Sequence, residues 1–225
     1  MRIDRSREQR RYRMTSNELP YDVVNKVDLF EPQYTTNDCL PTCIRNIMRK
    51  FTNRKIGKRN PFNLSKSDIN KSTDYDNLGA SKADMKRIKK RLDKDLKGDE
   101  IRCIFQYTDQ SRNVNLNLNF LFTLINDENK SLPIVSFSIE YFDDPNFPWD
   151  VSKYNRFPHS VISLEINNEK VYIWDGLISY KADNDIKDGI IILPKERFIR
   201  YWDNYYYSKE VCWLELETRK EVDSY

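Results

Sequence analysis

The stretch QYTTNDCLPTCIRNIMRKF, residues 33–51, predicts a helix with a cysteine at its start. Its apolar side chains recur at helical spacing, at Leu40, Cys43, Ile44, Ile47, Met48 and Phe51. Asn37 or Asp38 can cap the helix, and Pro41 is tolerated in a first turn because its missing N–H is not needed there. The predicted helix therefore runs from Cys39 to Phe51, with Cys39 at its N-terminus.

The rest of the chain predicts one further early helix and then a series of strands. The helix begins at Ser81 and has the apolar face Met85, Ile88, Leu92 and Leu96. Strands are predicted at Ile101–Gln106, Pro133–Glu140, His159–Ile166, Lys170–Trp174, Gly189–Leu193 and Val211–Leu216, with a short helix at Lys195–Trp202. Residues 114–126 fit either a strand or a helix. Because helices come first and strands after them, the order predicts an α+β fold with an antiparallel sheet.

The composition of the 225 residues is that of one globular domain. The chain is 39% hydrophobic and 13% aromatic with five Gly, which is enough apolar area for a core and too little Gly for collagen or flexible linkers. No stretch approaches the roughly 18–20 apolar residues that span a bilayer, and no repeat indicates a solenoid or coiled coil. Six Arg in residues 1–18 predict a flexible basic arm, followed by a single domain over residues 19–225.

One of the four cysteines is distinguished by its position. Cys39 lies at a predicted helix N-terminus, where free N–H groups and the helix dipole favour the thiolate, which is the nucleophilic form. Cys43 lies one turn inside the same helix, and Cys103 and Cys212 occur in strand patterns, where cysteine is usually a small buried hydrophobic residue. The chain has a single histidine, so His159 is the candidate base for a Cys–His mechanism.

Residues 159–175 predict a hairpin that brings a carboxylate to this histidine. If Asn167–Glu169 form a three-residue loop, Asp175 lies opposite Val161 and on the same face as His159. A two-residue loop would place the two side chains on opposite faces. In the first case Asp175 can accept the imidazole N–H and orient the ring, which is the role of the third member of a catalytic triad.

Gln33, six residues before Cys39, is the candidate oxyanion donor. Its side-chain amide can join the main-chain N–H of Cys39 in stabilising the negative charge that develops on a carbonyl oxygen. The sequence predicts no metal site, because one His and no C-x-x-C pair cannot supply the usual zinc ligands, and it predicts no cofactor. The candidate site therefore comprises Cys39, His159, Asp175 and Gln33.

The segment DCLPTCIRNIM, residues 38–48, together with Gln33, resembles the active-site start of papain-like cysteine peptidases. The likeness is closest to the double-glycine leader peptidases that process bacteriocin precursors, whose segment typically reads DCGPACLAMI. The matching positions are Cys39, Pro41, Cys43 and Ile44. Further likenesses follow along the chain to Asn204, namely Gly79-Ala80-Ser81 before the second helix, LPIVSFSI, HSVISLEI, and the spacing of Phe198 and Trp202.

The resemblance implies a papain-like fold in which the nucleophile helix and a helical lobe pack on an antiparallel sheet. It also implies the roles of four residues: Cys39 is the nucleophile, His159 the general base and acid, Asp175 the residue that orients His159, and Gln33 the oxyanion donor. The sequence departs from the family at two positions. Leu40 replaces the usual Gly, which predicts a narrower cleft, and Asp175-Gly176 replaces an Asp-Pro pair.

Other interpretations of the same residues stay open. Taken singly, Cys39 fits a buried helix cysteine, His159 a structural histidine, Asp175 a turn carboxylate and Gln33 a surface side chain. A papain-like site can also pass the acyl group to an amine in place of water, which makes it an acyltransferase or transpeptidase. A papain-like fold can also serve as a non-catalytic binding module.

Basic residues indicate which partner a binding module would take. Residues 45–59 contain seven basic side chains and no acidic one, which fits an acidic protein or nucleic acid, although no base-reading motif is present. The simpler interpretation of these residues is a solvated face. As a peptidase, the protein would take a peptide or protein substrate. Four thiols outside disulfide-like spacing predict free cysteines and a cytoplasmic location.

Overall fold

A six-stranded antiparallel sheet forms the centre of the computed structural model. The strands are β1 (Ile101–Thr108), β2 (Ile134–Phe137), β3 (His159–Ile166), β4 (Lys170–Trp174), β5 (Ile190–Pro194) and β6 (Lys209–Leu216). Their spatial order is β1-β6-β2-β3-β4-β5, and every neighbouring pair is antiparallel. The structure describes residues 19–33, 39–52, 88–90, 92–94, 96–108, 114–143, 159–177, 189–203 and 209–216.

Helices cover both faces of the sheet. They are α1 (Tyr21–Lys26), α2 (Cys39–Thr52), α3 (Val114–Ile125) and α4 (Lys195–Asp203), with helical turns also within residues 88–96. The first core contains apolar side chains of α1, α2 and residues 88–96, and the second contains those of α3 and α4. Strand β3 contributes Ile162 and Leu164 to the first core and Val161 to the second, as the alternation of side chains along a strand requires. The predicted α+β class is confirmed.

Most predicted elements are confirmed, but their order along the chain is not helices before strands. Strand β1 precedes α3, and α4 lies between β5 and β6. The open choice over residues 114–126 is a helix, because Leu118, Leu121 and Leu124 form a single buried stripe on α3. Strand β2 ends at Phe137, three residues earlier than predicted, and a 3₁₀ helix (Ile139–Asp143) follows it.

Several expectations fall outside the described residues. They are the basic arm of residues 1–18, the caps Asn37 and Asp38, and the helix start from Ser81 to Met85. Among the helices that are described, none has the length and apolar character needed to cross a membrane.

The β3–β4 hairpin has the expected register near His159, but its loop length and strand pairing differ from the predicted ones. Its loop has two residues, Asn168 and Glu169, because the main-chain N–H of Asn167 donates to the carbonyl of Lys170 at 3.0 Å. The predicted three-residue loop is therefore wrong. A β-bulge between Ser163 and Glu165 then shifts the pairing by one residue, so that Ile162 lies opposite Trp174. Continued by one step, this register brings His159 and Asp175 to the same face of the sheet.

Candidate active site

Three elements meet at one end of the sheet and bring Cys39, His159 and Asp175 into contact. Helix α2 begins at Cys39, β3 begins at His159, and Asp175 directly follows β4. Nε2 of His159 lies 2.8 Å from Oδ1 of Asp175, and the Cys39 thiol is hydrogen-bonded to the same imidazole. Because Nε2 is bonded to the carboxylate, Nδ1 is the nitrogen that remains for the Cys39 sulfur.

Asp175 is fully buried and accepts three hydrogen bonds. Besides His159, the main-chain N–H of Leu177 donates to Oδ1 at 2.8 Å, and the Tyr141 hydroxyl donates to Oδ2 at 2.9 Å. Burial by itself favours the neutral acid, but His159 and these two donors outweigh it and lower the pKa of Asp175. The carboxylate therefore stays charged and fixed in orientation at neutral pH.

His159 is held as an imidazolium at neutral pH. Burial disfavours the charged ring, but the Asp175 carboxylate and the Cys39 sulfur outweigh burial and raise the pKa of His159 to about 10. The 3₁₀ helix after β2 encloses the ring: Tyr141 lies parallel to it at 6.0 Å between centroids, and Phe142 lies at 5.3 Å. The two aromatic side chains pack against the imidazole and limit its rotation.

Cys39 is the most accessible of the three side chains, because it is only partly buried while His159 and Asp175 are almost completely buried. Burial raises the pKa of its thiol, but the charge and hydrogen bond of His159, with hydrogen bonds from Ser160, lower it overall. The arrangement favours a thiolate–imidazolium pair backed by a carboxylate. Such a group can attack an electrophilic carbonyl and protonate the leaving group.

Gln33 is hydrogen-bonded through its main chain to Gly176, the residue after Asp175. Its N–H donates to the carbonyl of Gly176 at 3.1 Å, and its side chain is fully buried, so it is not a surface residue. Gly176 permits this contact because a Cβ there would lie 3.3 Å from the Gln33 nitrogen and 2.9 Å from the ring of Trp174. The oxyanion role of its amide stays a prediction.

Helix α2 holds the segment that leads to Gln33. Asn46 is fully buried, and its side chain bonds both main-chain groups of Glu31, accepting from the N–H at 3.0 Å and donating to the carbonyl at 2.9 Å. Arg49 pairs with the Glu31 carboxylate at 2.8 Å, and Arg45 donates to the carbonyl of Pro32 at 3.3 Å. One helix therefore positions both Cys39 and the approach to Gln33.

These contacts correct the interpretation of the basic residues on α2 as a solvated face. Arg45 and Arg49 are only 5% and 7% exposed. Lys50 bonds the Asp28 carboxylate and the carbonyl of Asn25. These three cations act within the protein, because they fix the segment between α1 and Gln33. Of the remaining basic side chains between residues 45 and 59, none lies in the described part of the chain.

Leu40, which directly follows Cys39, is a buried residue of α2. Its side chain is 3% exposed and packs in the first core, and the narrowing of a cleft by this residue stays a prediction. The other three cysteines are buried and reduced, as their patterns predict, with the sulfurs of Cys103 and Cys212 3.8 Å apart across β1 and β6. Within the described ranges, no group of three His, Cys, Asp or Glu side chains is placed to hold a metal ion.

The sequence did not indicate two contributors to the site, Tyr141 and Ser160. Tyr141 directly follows the strand predicted at Pro133–Glu140 and was assigned to no element, so its approach to Asp175 had no signal in the pattern. Ser160 follows His159 directly, and alternation along a strand would have sent its side chain to the face covered by α2. That signal was present but does not by itself indicate a contact with Cys39.

Replacing Tyr141 with phenylalanine tests the support of Asp175. The ring packing is kept, but the buried carboxylate loses a donor that fixes its orientation. We expect alkylation of Cys39 at pH 7 to slow by about three- to tenfold, which corresponds to about 0.6–1.4 kcal/mol, the range of one ordinary hydrogen bond. The rate is measured with iodoacetamide and peptide mapping. Tyr201→Phe is the control, because Tyr201 packs against Tyr141 at 5.5 Å and should leave the rate unchanged. Equal rates in Tyr141→Phe and the wild type would contradict the role.

Replacing Asn46 with alanine tests how α2 holds residues 31–33. The N–H and carbonyl of Glu31 both lose a buried partner, so we expect the free energy of unfolding to fall by about 2–4 kcal/mol in urea titration. Asn126→Ala, which removes an exposed side chain bonded to the carbonyl of Phe122, should change it by less than about 0.5 kcal/mol. If the free energy of unfolding falls by a similar amount in the two variants, the contacts of Asn46 with Glu31 do not stabilise the protein more than an exposed hydrogen bond does.

No protein-family model matches the chain, and no curated protein matches it. Inferences about function therefore depend on the contacts described above and on the motif at Cys39.

Proposed function

We propose that this protein is a papain-like cysteine peptidase that cleaves a peptide or protein substrate. The observation that carries the proposal is the chain of contacts from the Cys39 thiol through the His159 ring to the Asp175 carboxylate, at the N-terminus of a helix packed on an antiparallel sheet. The motif around Cys39, similar to that of the double-glycine leader peptidases, supports the same class. No double-glycine specificity is proposed.

The reaction follows from the positions of the protons. The Cys39 thiolate attacks the peptide carbonyl carbon, and the oxyanion forms near the main-chain N–H of Cys39 and the Gln33 amide. His159 donates the Nδ1 proton to the leaving amine, which departs and leaves a thioester. His159 then takes a proton from water, which attacks the thioester and releases the carboxylic acid. Cys39 and His159 return to the starting ion pair.

The activity is tested by incubating the protein with a diverse peptide mixture and identifying new termini by mass spectrometry. Cleavage that is lost in Cys39→Ser and blocked by an epoxysuccinyl inhibitor such as E-64 would support the proposal. Added hydroxylamine distinguishes hydrolysis from acyl transfer, because a transferase yields mainly the hydroxamate. Absence of any product with the wild type, together with unreactive Cys39, would contradict it.

The pH dependence of turnover follows from the same ion pair. His159 must carry its proton to the leaving amine, and its pKa is about 10, so turnover should fall as the pH rises through that value. On the acid side, turnover should persist below pH 9, because the pKa of Cys39 is lowered from 9.0. The measurement is kcat/KM from pH 4 to pH 11. Loss of activity already between pH 6 and pH 8 on the alkaline side would contradict the assignment.

A further inference from the structure

Ser160 has main-chain groups that point away from β2 and toward the position beyond the end of β4. In the β2–β3 pair, the N–H of Ser163 donates to the carbonyl of Pro133, so odd-numbered residues here bond to β2 and even-numbered ones face β4. The last residue of β3 that pairs with β4 is Ile162, opposite Trp174, so the pairing stops two residues short of Ser160. Continuation of the sheet therefore does not supply the partners of Ser160.

The first turn of α2 supplies these partners instead. The Cys43 thiol donates to the carbonyl of Ser160 at 3.4 Å, and the Cys39 sulfur accepts from the main-chain N–H and the hydroxyl of Ser160. Residues four apart lie on the same side of a helix, so both sulfurs face the same strand residue. The two cysteines thus take the place that a further β4 residue would have in the ladder.

We propose that Cys43 is a positioning residue of this site, which fixes Ser160 so that its N–H is held against the Cys39 sulfur. The inference rests on the proposed function, in which Cys39 is the activated nucleophile. Ser160 directly follows His159, so the same contact also fixes the start of β3 against the helix that carries Cys39. Cys43 would then act on the reaction through Ser160 and never touch the substrate.

A thiol suits this position because the donor must be small and neutral. Burial, then the charges of Cys39 and Asp175, raise the pKa of Cys43 well above 9.0, so it keeps its proton at neutral pH. A second anion one turn from Cys39 would oppose the Cys39 thiolate. Alanine removes the donor, valine fills the space without a donor, and serine keeps a neutral donor on a shorter bond.

The test is the pH dependence of Cys39 alkylation in the full chain. In Cys43→Ala and Cys43→Val we expect the apparent pKa of Cys39 to rise by about one unit, which makes alkylation about tenfold slower at pH values below the wild-type pKa of Cys39. Cys43→Ser should restore most of the wild-type profile. Cys103→Ala is the matched control, because it removes a buried sulfur from the same core; it should lower the melting temperature by a similar amount and leave the profile unchanged.

Two results would overturn the inference. One is a wild-type profile in both Cys43→Ala and Cys43→Val. The other is a Cys43→Ser profile as impaired as that of alanine, which would show that packing alone matters. If the wild-type Cys39 itself lacks a lowered pKa, both the proposed function and the inference fail. If the wild-type Cys39 has a lowered pKa and the Cys43 variants keep it, only the inference fails.

Discussion

Replacing His159 with alanine should remove most of the reactivity of Cys39 at neutral pH. The imidazolium outweighs the burial of the thiol and lowers its pKa. Without the imidazolium, burial raises that pKa instead, so the thiolate fraction at pH 7 should fall by about 100-fold or more. Second-order rate constants for iodoacetamide at pH 7, determined by mapping the Cys39 peptide, measure the effect.

The control for this variant is internal. Cys212 on β6 and Cys103 on β1 are two and three strands away from His159 on β3. They should label at unchanged rates, which would show that the fold is intact. As the pH rises above about 10, a growing fraction of Cys39 ionises without help, so the rates of the variant and the wild type should approach each other. A His159→Ala variant whose Cys39 labels as fast as the wild type at pH 7 would contradict the proposed pair. Cleavage activity, once a substrate is known, should fall by about 10⁴-fold or more, the order expected when a catalytic base is removed.

Replacing Asp175 with asparagine should reduce both stability and activity. The imidazolium loses its buried counter-charge, and removing one partner of a buried ion pair costs about 3–5 kcal/mol of unfolding free energy. We expect turnover to fall by about 10²–10⁴-fold, since the ring loses its charged acceptor and the Asn amide can donate to the ring and hold the wrong tautomer. Urea titration and kcat/KM measure the two effects.

The loss of stability has a defined pH range. The raised pKa of His159 stabilises the folded protein fully below 6.5, its unfolded value, and this contribution is lost as the pH rises to about 10. The lowered pKa of Asp175 contributes fully above 3.8 and is lost at more acid pH. The free energy of unfolding of the wild type should therefore exceed that of Asp175→Asn by the largest amount between about pH 4 and pH 6.5. Glu140→Gln, which breaks the exposed pair with Arg200, should show less than about 1 kcal/mol at any pH. A pH-independent difference for Asp175→Asn would contradict the ion pair.

Local patterns in the sequence were sufficient for the elements that carry the site. The apolar spacing after Cys39 predicted α2, and the alternation in His159–Ile166 and Lys170–Trp174 predicted β3 and β4 with correct ends. Each of these signals depends on neighbours within a few residues. The strand-like alternation of residues 114–120 left α3 undecided, because its burial on the second core is set by tertiary packing.

Long-range contacts explain what the sequence could not predict. The register of His159 and Asp175 was expected from a three-residue loop, but it arises from a two-residue loop and a bulge at Leu164 that compensate each other. Tyr141 reaches Asp175 from 34 residues away, so no local periodicity marks it. The buried roles of Arg45 and Arg49 depend on the carbonyl and carboxylate of a preceding segment, and basic side chains in sequence otherwise indicate solvent.

The pH–rate profile of alkylation for all four cysteines of the wild type tests the central claim most directly. The protein is treated with iodoacetamide from pH 5 to pH 10, and each cysteine peptide is quantified. The account predicts that Cys39 labels with an apparent pKa below 9.0 and that Cys43, which has a raised pKa, reacts slowly throughout. At pH 6.5, Cys39 should label about 100-fold faster than the other three. Equal slow labelling of all four cysteines, with Cys39 titrating near or above 9.0, would contradict the thiolate–imidazolium pair and the peptidase it supports.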